Sequence, residues 1–235
     1  MHDGVSTAVI RWNRYISEDW IREMDSTSFL SRCRSGVVSR QELDHFLVQQ
    51  YYYARNFTRF LCALLSNIEN EADRQALTVN LIDEMGLGTI AGVPHSALYR
   101  KMLERMEIDP GIAPLEKATQ ALIDAMLESC KSGNILVGLG ALCLGAEAIV
   151  PHLYGQIVTG FHANGFSKAD LEFFYIHMEC DDDHALTMKM IIDQRVGSPR
   201  ELLTLQSSAR RALSLRARFF HAILQPREVP SYAVL

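Results

Sequence analysis

Apolar residues recur every three to four positions along this chain, and the two-residue alternation of a half-buried strand is almost absent. That period predicts helices over residues 6–24, 39–68, 71–86, 95–106, 115–132, 135–163, 167–195 and 199–224. Ser39-Arg-Gln-Glu42 and Ser198-Pro199-Arg-Glu201 read as capping boxes, in which serine and glutamate satisfy each other's backbone N–H groups. Pro199 takes the first helical position, where no N–H is needed. Ser167-Lys-Ala-Asp170 resembles a third helix start. Breaks are expected at Gly36, the Gly86–Pro94 loop, Pro110–Pro114, Gly133 and Gly165, none of them a long linker. The expectation is one all-α domain of packed helices spanning residues 1–235. Pro151 is expected to bend its helix just after Glu147, because it removes one backbone hydrogen bond.

Composition narrows the class. Hydrophobic residues make up 48% of the 235 and charged residues 22%, the balance of a globular chain rather than a disordered one. The net charge is -5 with Lys and Arg scattered, so no basic stripe points to nucleic acid. Cysteines 33, 62, 130, 143 and 180 are odd in number and form no CxxC pair, which fits buried free thiols in a reducing compartment. The N-terminus shows no signal-peptide pattern. The apolar run Ile135–Ala146 is short and ends at Glu147, so it reads as a core helix rather than a membrane span. A cytoplasmic protein with no membrane partner is expected.

The chemistry begins with His177-Met-Glu-Cys-Asp181-Asp-Asp-His184. His177, Asp181 and His184 stand at i, i+4 and i+7 and share one helical face, where two imidazoles and a carboxylate can hold a divalent metal. The competing reading is an acidic solvated face with two unrelated histidines. Upstream, Glu147 lies in Gly138-Leu-Gly-Ala-Leu-Cys-Leu-Gly-Ala-Glu147, where a lone carboxylate is costly to bury unless paired, protonated or bound to a cation. Asp83 and Glu84 end a helix, where the macrodipole disfavours acids, and a glycine-rich loop then delivers His95. Glu84, His95, Glu147, His177, Asp181 and His184 together supply three carboxylates and three imidazoles, enough to surround two ions. Facing helices in bundles build diiron sites from such residues, usually with two Glu-x-x-His motifs, a pair this chain lacks.

The ordered set resembles the heme-oxygenase-like diiron oxidases and oxygenases, relatives of the TenA/PqqC-like superfamily and the CADD-like proteins. That family's pattern is a glutamate, a histidine shortly after it, a second glutamate on a later helix, then His-x3-Asp-x2-His. Gln50-Tyr51-Tyr52, Asn80-Leu-Ile-Asp-Glu84 and Ala146-Glu147 followed by Pro151 support the match, which runs from about residue 20 to 225. The resemblance implies a seven- to eight-helix heme-oxygenase-like bundle. It implies two Fe(II) ions held by the six residues, with manganese equally suited to the donors, and O2 as co-substrate. Glu84, Glu147 and Asp181 would be the carboxylates at the reacting centre.

Departures from the family refine the expectation. CADD-like para-aminobenzoate synthases sacrifice one of their own tyrosines, and the corresponding place here is Leu30, so an external substrate is implied. N-oxygenating members carry an extra glutamate on the early helix, and Tyr53-Ala-Arg-Asn-Phe-Thr58-Arg59 contains no acid. The remaining chemistry is oxidation or fragmentation of a small amino-acid-like or carboxylic acid in a biosynthetic pathway: C–C cleavage, desaturation or nitrile formation. Tyr51, Arg55 and Arg59 share a helical face and, with Tyr52, are candidates for lining the substrate pocket. The rivals are an N-oxygenase of the same fold, a cofactorless PqqC-like oxidase or thiaminase-like hydrolase, and a non-enzymatic helical interaction protein. The sequence names neither substrate nor electron donor, and a homodimer is compatible with it.

Overall fold

The computed structural model describes residues 12–88 and 92–224, with every side chain there except those of Ile112 and residues 179–183. No strand occurs among them. The helices are α1 (Glu18–Asp25), α2 (Ser28–Arg34), α3 (Arg40–Ala54), α4 (Phe57–Leu65), α5 (Glu71–Glu84) and α6 (His95–Arg105), followed by α7 (Lys117–Cys130) and α8 (Ile135–Leu139). Then come α9 (Val150–Ala163), α10 (Glu172–Arg195) and α11 (Pro199–Ile223). Both expected capping serines act as such: Ser39 and Glu42 exchange backbone bonds reciprocally, and Ser198 accepts from the Glu201 N–H.

One continuous apolar core joins these helices. Phe46 of α3 lies at its centre, 5.1 Å from Phe29 of α2, 6.4 Å from Phe174 of α10 and 6.2 Å from Phe219 of α11. Ring pairs at such distances add to the stabilisation that burial alone provides. An ion pair between Asp73 and Arg195 ties the start of α5 to the end of α10. Ile135–Ala163 is long and apolar enough to cross a membrane, but 72% of its most apolar window is buried in the bundle, as a core segment would be. Cys33, Cys130 and Cys143 are free and buried, whereas Cys62 is free and exposed.

The chain departs from its periodicity in five places. The expected helix over 6–24 starts, within the described residues, only at Glu18, and residues 1–11 lie outside the description. Helix α2 has no counterpart among the expected elements; seven residues give little periodic signal, and its place is fixed by burying Phe29, Leu30 and Cys33. The expected helix 39–68 divides at Arg55–Asn56, where the Asn56 side chain donates to the Tyr52 carbonyl at 2.8 Å. That bond competes with the backbone ladder without any Gly or Pro to announce it. Ser167 and Asp170 do form their reciprocal bonds, but the chain turns once before α10 begins at Glu172.

The fifth departure shapes the site. Residues 135–163 are three helical pieces: α8 passes into a π turn over Gly140–Leu144, and a 3-10 turn over Glu147–Ile149 precedes α9. The Gly145 N–H donates to the Gly140 carbonyl at 3.1 Å, the i→i+5 bond of a π turn. Pro151 therefore does not bend a helix after Glu147. It sits in the first turn of α9, where its missing N–H costs nothing, and the irregular backbone lies before and at Glu147. Close packing requires glycine here, since a Cβ on Gly140 would come 2.3 Å from the Leu205 carbonyl oxygen of α11.

Candidate metal centre

Glu84 is the last residue of α5 and His95 the first of α6, so the loop between them decides whether they meet. Gly86 makes the meeting possible in two ways. Its φ of +69° lies in the left-handed region, and a Cβ there would sit 2.1 Å from the Val93 carbonyl carbon. The returning chain can therefore pass directly over the glycine, and Pro94 starts α6 with His95 beside Glu84. The His95 Nδ1–H donates to Glu84 Oε1 at 3.0 Å.

Helix α10 brings the other imidazoles. The His177 Nδ1–H donates to the Phe173 carbonyl at 2.8 Å, which leaves its Nε2 as the lone-pair nitrogen. The rings of His95 and His177 lie 4.6 Å apart. Asn80 of α5 donates to the His184 carbonyl at 3.1 Å and fixes the register of the two helices. His184 Nδ1 then stands 3.9 Å from Glu84 Oε1 and 4.0 Å from Glu147 Oε1, while its Nε2 faces Asp83 Oδ2 at 3.6 Å. Glu147 enters from the irregular segment between α8 and α9.

Five of the six residues singled out by sequence thus converge. The sixth, Asp181, lies on α10, and its side chain is outside the description. Glu84, His95 and His177 place donor atoms within 4.8 Å of one another, as do Glu84, Glu147 and His184, and Glu84 belongs to both trios. All five are at most 8% exposed.

The electrostatics of this cluster suit a cation. Burial pushes the Glu84 carboxyl up, but the His95 hydrogen bond and the neighbouring imidazoles outweigh it and hold Glu84 below the ordinary carboxylate range. Burial and the proximity of Glu84 push Glu147 well above that range, against the opposing pull of Arg216. Burial, reinforced by His95 and His184 and resisted by Glu84, lowers His177 to about 4, so its ring is neutral. Glu147 Oε1 is buried and meets no hydrogen-bond partner among the described residues. Holding this carboxyl ionised without a cation would cost several kcal/mol, which is why burial raises it. Two donors on one ion at about 2.1 Å each lie no more than about 4.2 Å apart, and the separations from His184 to Glu84 and Glu147 fall inside that limit. The residues fit a divalent metal, and mixed imidazole and carboxylate donors suit iron or manganese.

A cavity of about 50 Å³ opens onto Glu84, His95, Glu147 and His177. Of the four pocket candidates read from the sequence, Arg55 lines it. Arg55 is exposed at its edge and sits 5.7 Å from the Tyr51 ring centroid and 5.0 Å from that of Tyr52. Tyr51, Tyr52 and Arg59 are not among the lining residues. The Tyr52 hydroxyl turns to the Pro110 and Ala113 carbonyls, and Arg59 donates to Asn56 at 2.6 Å. Gln50, Tyr53, Tyr154 and Arg216 do line the cavity. Gln50 donates to the Tyr154 hydroxyl at 3.1 Å. Arg216 escaped sequence reading because a charged residue on an amphipathic helix looks like a solvated one.

A helical bundle closed around a buried knot of carboxylates and imidazoles is the arrangement of a protein that could hold a metal through oxygen and nitrogen donors. The chain belongs to the family of iron-containing redox enzymes, whose model matches residues 44–217, and it is an oxidoreductase acting on a small molecule. It is 26% identical over 185 residues to a 4-aminobenzoate synthase of Chlamydia pneumoniae, covering 77% of this chain and 80% of that one. A 4-aminobenzoate synthase of Chlamydia trachomatis is 24% identical over 179 residues, covering 73% and 74%. A TenA homologue from Pseudomonas syringae pv. tomato shares the fold, with a TM-score of 0.75 and 15% identity over 94% of this chain and 93% of that one. A CADD-like protein from Nostoc punctiforme superposes with a TM-score of 0.74 and 17% identity over 92% and 95%. The fold is heme-oxygenase-like, in agreement with the resemblance carried by the six-residue pattern.

Proposed function

We propose that the chain is a non-heme diiron oxidase or oxygenase that uses O2 to oxidise or fragment a small amino-acid-like or carboxylic acid substrate. The observation that carries this reading is the sharing of Glu84 between two donor trios. Glu84, His95 and His177 would hold one ion, and Glu84, Glu147 and His184 the other, with Asp181 joining from its place on the same face of α10. When bound, two ferrous ions would supply the redox chemistry and the activation of O2. The same donors suit manganese.

The chain's own residues do the rest. The Phe173 carbonyl fixes the His177 tautomer, and Asn80 holds the α10 backbone at His184. Phe173 packs against His177 with ring centroids 3.9 Å apart and planes tilted by 37°. Because the cavity meets the ligands themselves, a substrate within it would lie against the reacting centre.

The curated relatives' activity suggests small aromatic or amino acid chemistry. The place that the CADD-like proteins give to a sacrificed tyrosine is here Leu30, fully buried in the core, and this favours an external substrate. C–C cleavage, desaturation and nitrile formation all fit such a centre, and the absence of an acid from residues 53–59 weighs against N-oxygenation. Anaerobic Fe(II) loading followed by O2 and candidate amino acids or small acids tests the proposal. The expected result is iron near two per chain and O2 consumption that depends on one class of acid. A folded protein that takes up no iron would overturn it in favour of a cofactorless oxidase.

A further inference from the structure

Arginine is seldom buried without an acid beside it. Arg216 of α11 is 4% exposed and forms no ion pair among the described residues. Its Nε donates to the Gly145 carbonyl at 3.2 Å, and one Nη2 hydrogen goes to the Tyr53 hydroxyl at 2.8 Å. The guanidinium carbon lies 4.8 Å from the Tyr53 ring centroid. Of the five N–H groups an arginine carries, the Nη1 pair and the second Nη2 hydrogen meet no described acceptor. Arg216 and Tyr53 line the same cavity as Glu84 and Glu147.

The fold places this guanidinium deliberately. A Cβ on Gly145 would fall 2.5 Å from the Ala212 Cβ, so glycine is what lets α11 come this close one turn before Arg216. The backbone bonds of the following 3-10 turn go to the Ala146 and Glu147 carbonyls, and the Gly145 carbonyl takes the arginine. A desolvated guanidinium fork with free N–H groups matches a carboxylate in bidentate fashion. The Tyr53 oxygen accepts from Arg216 and still has its own proton to donate. Arg216 offers one guanidinium fork on this wall, which matches one carboxylate and so favours a monoanion. Arg55, by contrast, is exposed and rests on two tyrosine rings; at the rim it can steer anions inward without gripping them.

We propose that Arg216 and Tyr53 are the anion-recognition groups of the substrate cavity, and that the substrate they select is a small monocarboxylate. The proposal rests on reading this cavity as the substrate site. The test is titration of propionate, and of its uncharged isostere propionamide, into the full-length chain by ligand-observed NMR. It is run metal-free and again with Fe(II) under anaerobic conditions, on wild type, Arg216→Gln, Arg216→Lys and Tyr53→Phe. Wild type is expected to prefer propionate at least tenfold. Arg216→Gln should abolish that preference, Arg216→Lys should restore part of it, and Tyr53→Phe should weaken propionate several-fold. Equal binding of the two probes by wild type would overturn the proposal, as would an undiminished preference in folded Arg216→Gln. Should Arg216→Gln fail to fold, Tyr53→Phe decides, because it keeps the ring that packs 5.8 Å from Phe60 and loses only the hydroxyl. Wild-type propionate binding at full strength in Tyr53→Phe would then count against it. Iron content is read separately: a chain that grips propionate through Arg216 yet takes up no iron would sink the diiron reading and leave this one standing.

Discussion

The Asn80 side chain donates to the His184 carbonyl at 3.1 Å, so the helix that ends on Glu84 is keyed to the helix that carries His177 and His184. Asn80 is 1% exposed, and no water can replace the bond cheaply. Asn80→Ala is expected to cost about 1–2 kcal/mol of stability. It should also weaken metal binding by Glu84, Glu147 and His184 more than by Glu84, His95 and His177. Urea unfolding and metal titration of the variant check both effects, and unchanged metal affinity would count against the keying role.

Gly86 is expected to tolerate nothing larger. Alanine there would meet both an unfavourable φ of +69° and the Val93 backbone 2.1 Å away. Gly86→Ala should destabilise by more than the roughly 1 kcal/mol of an ordinary left-handed glycine replacement. It should also pull His95 away from Glu84 and lower iron content. Thermal unfolding combined with iron analysis tells these apart from a purely local strain.

Shared and unshared ligands should behave differently. Glu84→Ala removes a donor common to both trios and is expected to abolish iron binding. His184→Ala and His95→Ala each strip one trio and should leave about one ion per chain with loss of activity. Iron stoichiometry of the three variants settles the matter; equal, partial losses from all three would show that Glu84 does not bridge.

The acid limb of stability offers a test away from the metal cluster. Burial raises Asp25, but hydrogen bonds from His152 at 2.8 Å and Gln156 at 2.8 Å, with the charge of Arg34, leave it below its ordinary 3.8. The unfolded chain therefore takes up this proton before the folded one does. The stabilisation is fully present above pH 3.8 and is lost as pH falls through the lower folded value. Asp25→Asn should make unfolding free energy less pH-dependent in that window. A variant with the wild-type slope there would refute the assignment.

An external substrate implies a chain that emerges from turnover intact. Mass spectrometry after O2 exposure is expected to show unaltered tyrosines, including Tyr53 and Tyr154 on the cavity wall. A mass loss mapping to either would mean that the protein consumes itself.

Much of the helical frame was legible because long amphipathic helices impose their period on the sequence, and because serine–acid boxes mark where they start. Glu84 and Glu147 stood out because acids at a helix end, or within an apolar run, are costly enough to demand an explanation. His177 and His184 stood out because they share a helical face with Asp181, and His95 because of its place in the ordered set. What stayed hidden depends on distant partners. Asn56 divides a helix through a side-chain bond that no local propensity announces. The irregular turn before Glu147 follows from α11 pressing on Gly140 and Gly145. The spacing predicts one helical face for Tyr51, Arg55 and Arg59 with Tyr52 beside them, but the helix divides at Arg55–Asn56 before Arg59 is reached. The Tyr52 hydroxyl turns to Pro110 and Ala113, so only Arg55 of the four lines the cavity. Arg216 is some seventy residues from the carbonyl that holds it, and only the folded chain joins them.

A π turn is what an α-helix becomes when it absorbs one additional residue, and each added residue swings everything downstream by about 100° around the axis. The Gly140–Leu144 turn thus acts as a rotary offset that helps set the bearing of Glu147. Deleting a single residue within it should let the ladder close into a more regular helix and turn the carboxylate off the metal centre. By this route a one-codon change would exchange catalytic competence for a better-built core, which makes the segment the natural place to look when a relative of this fold has kept its shape and lost its iron.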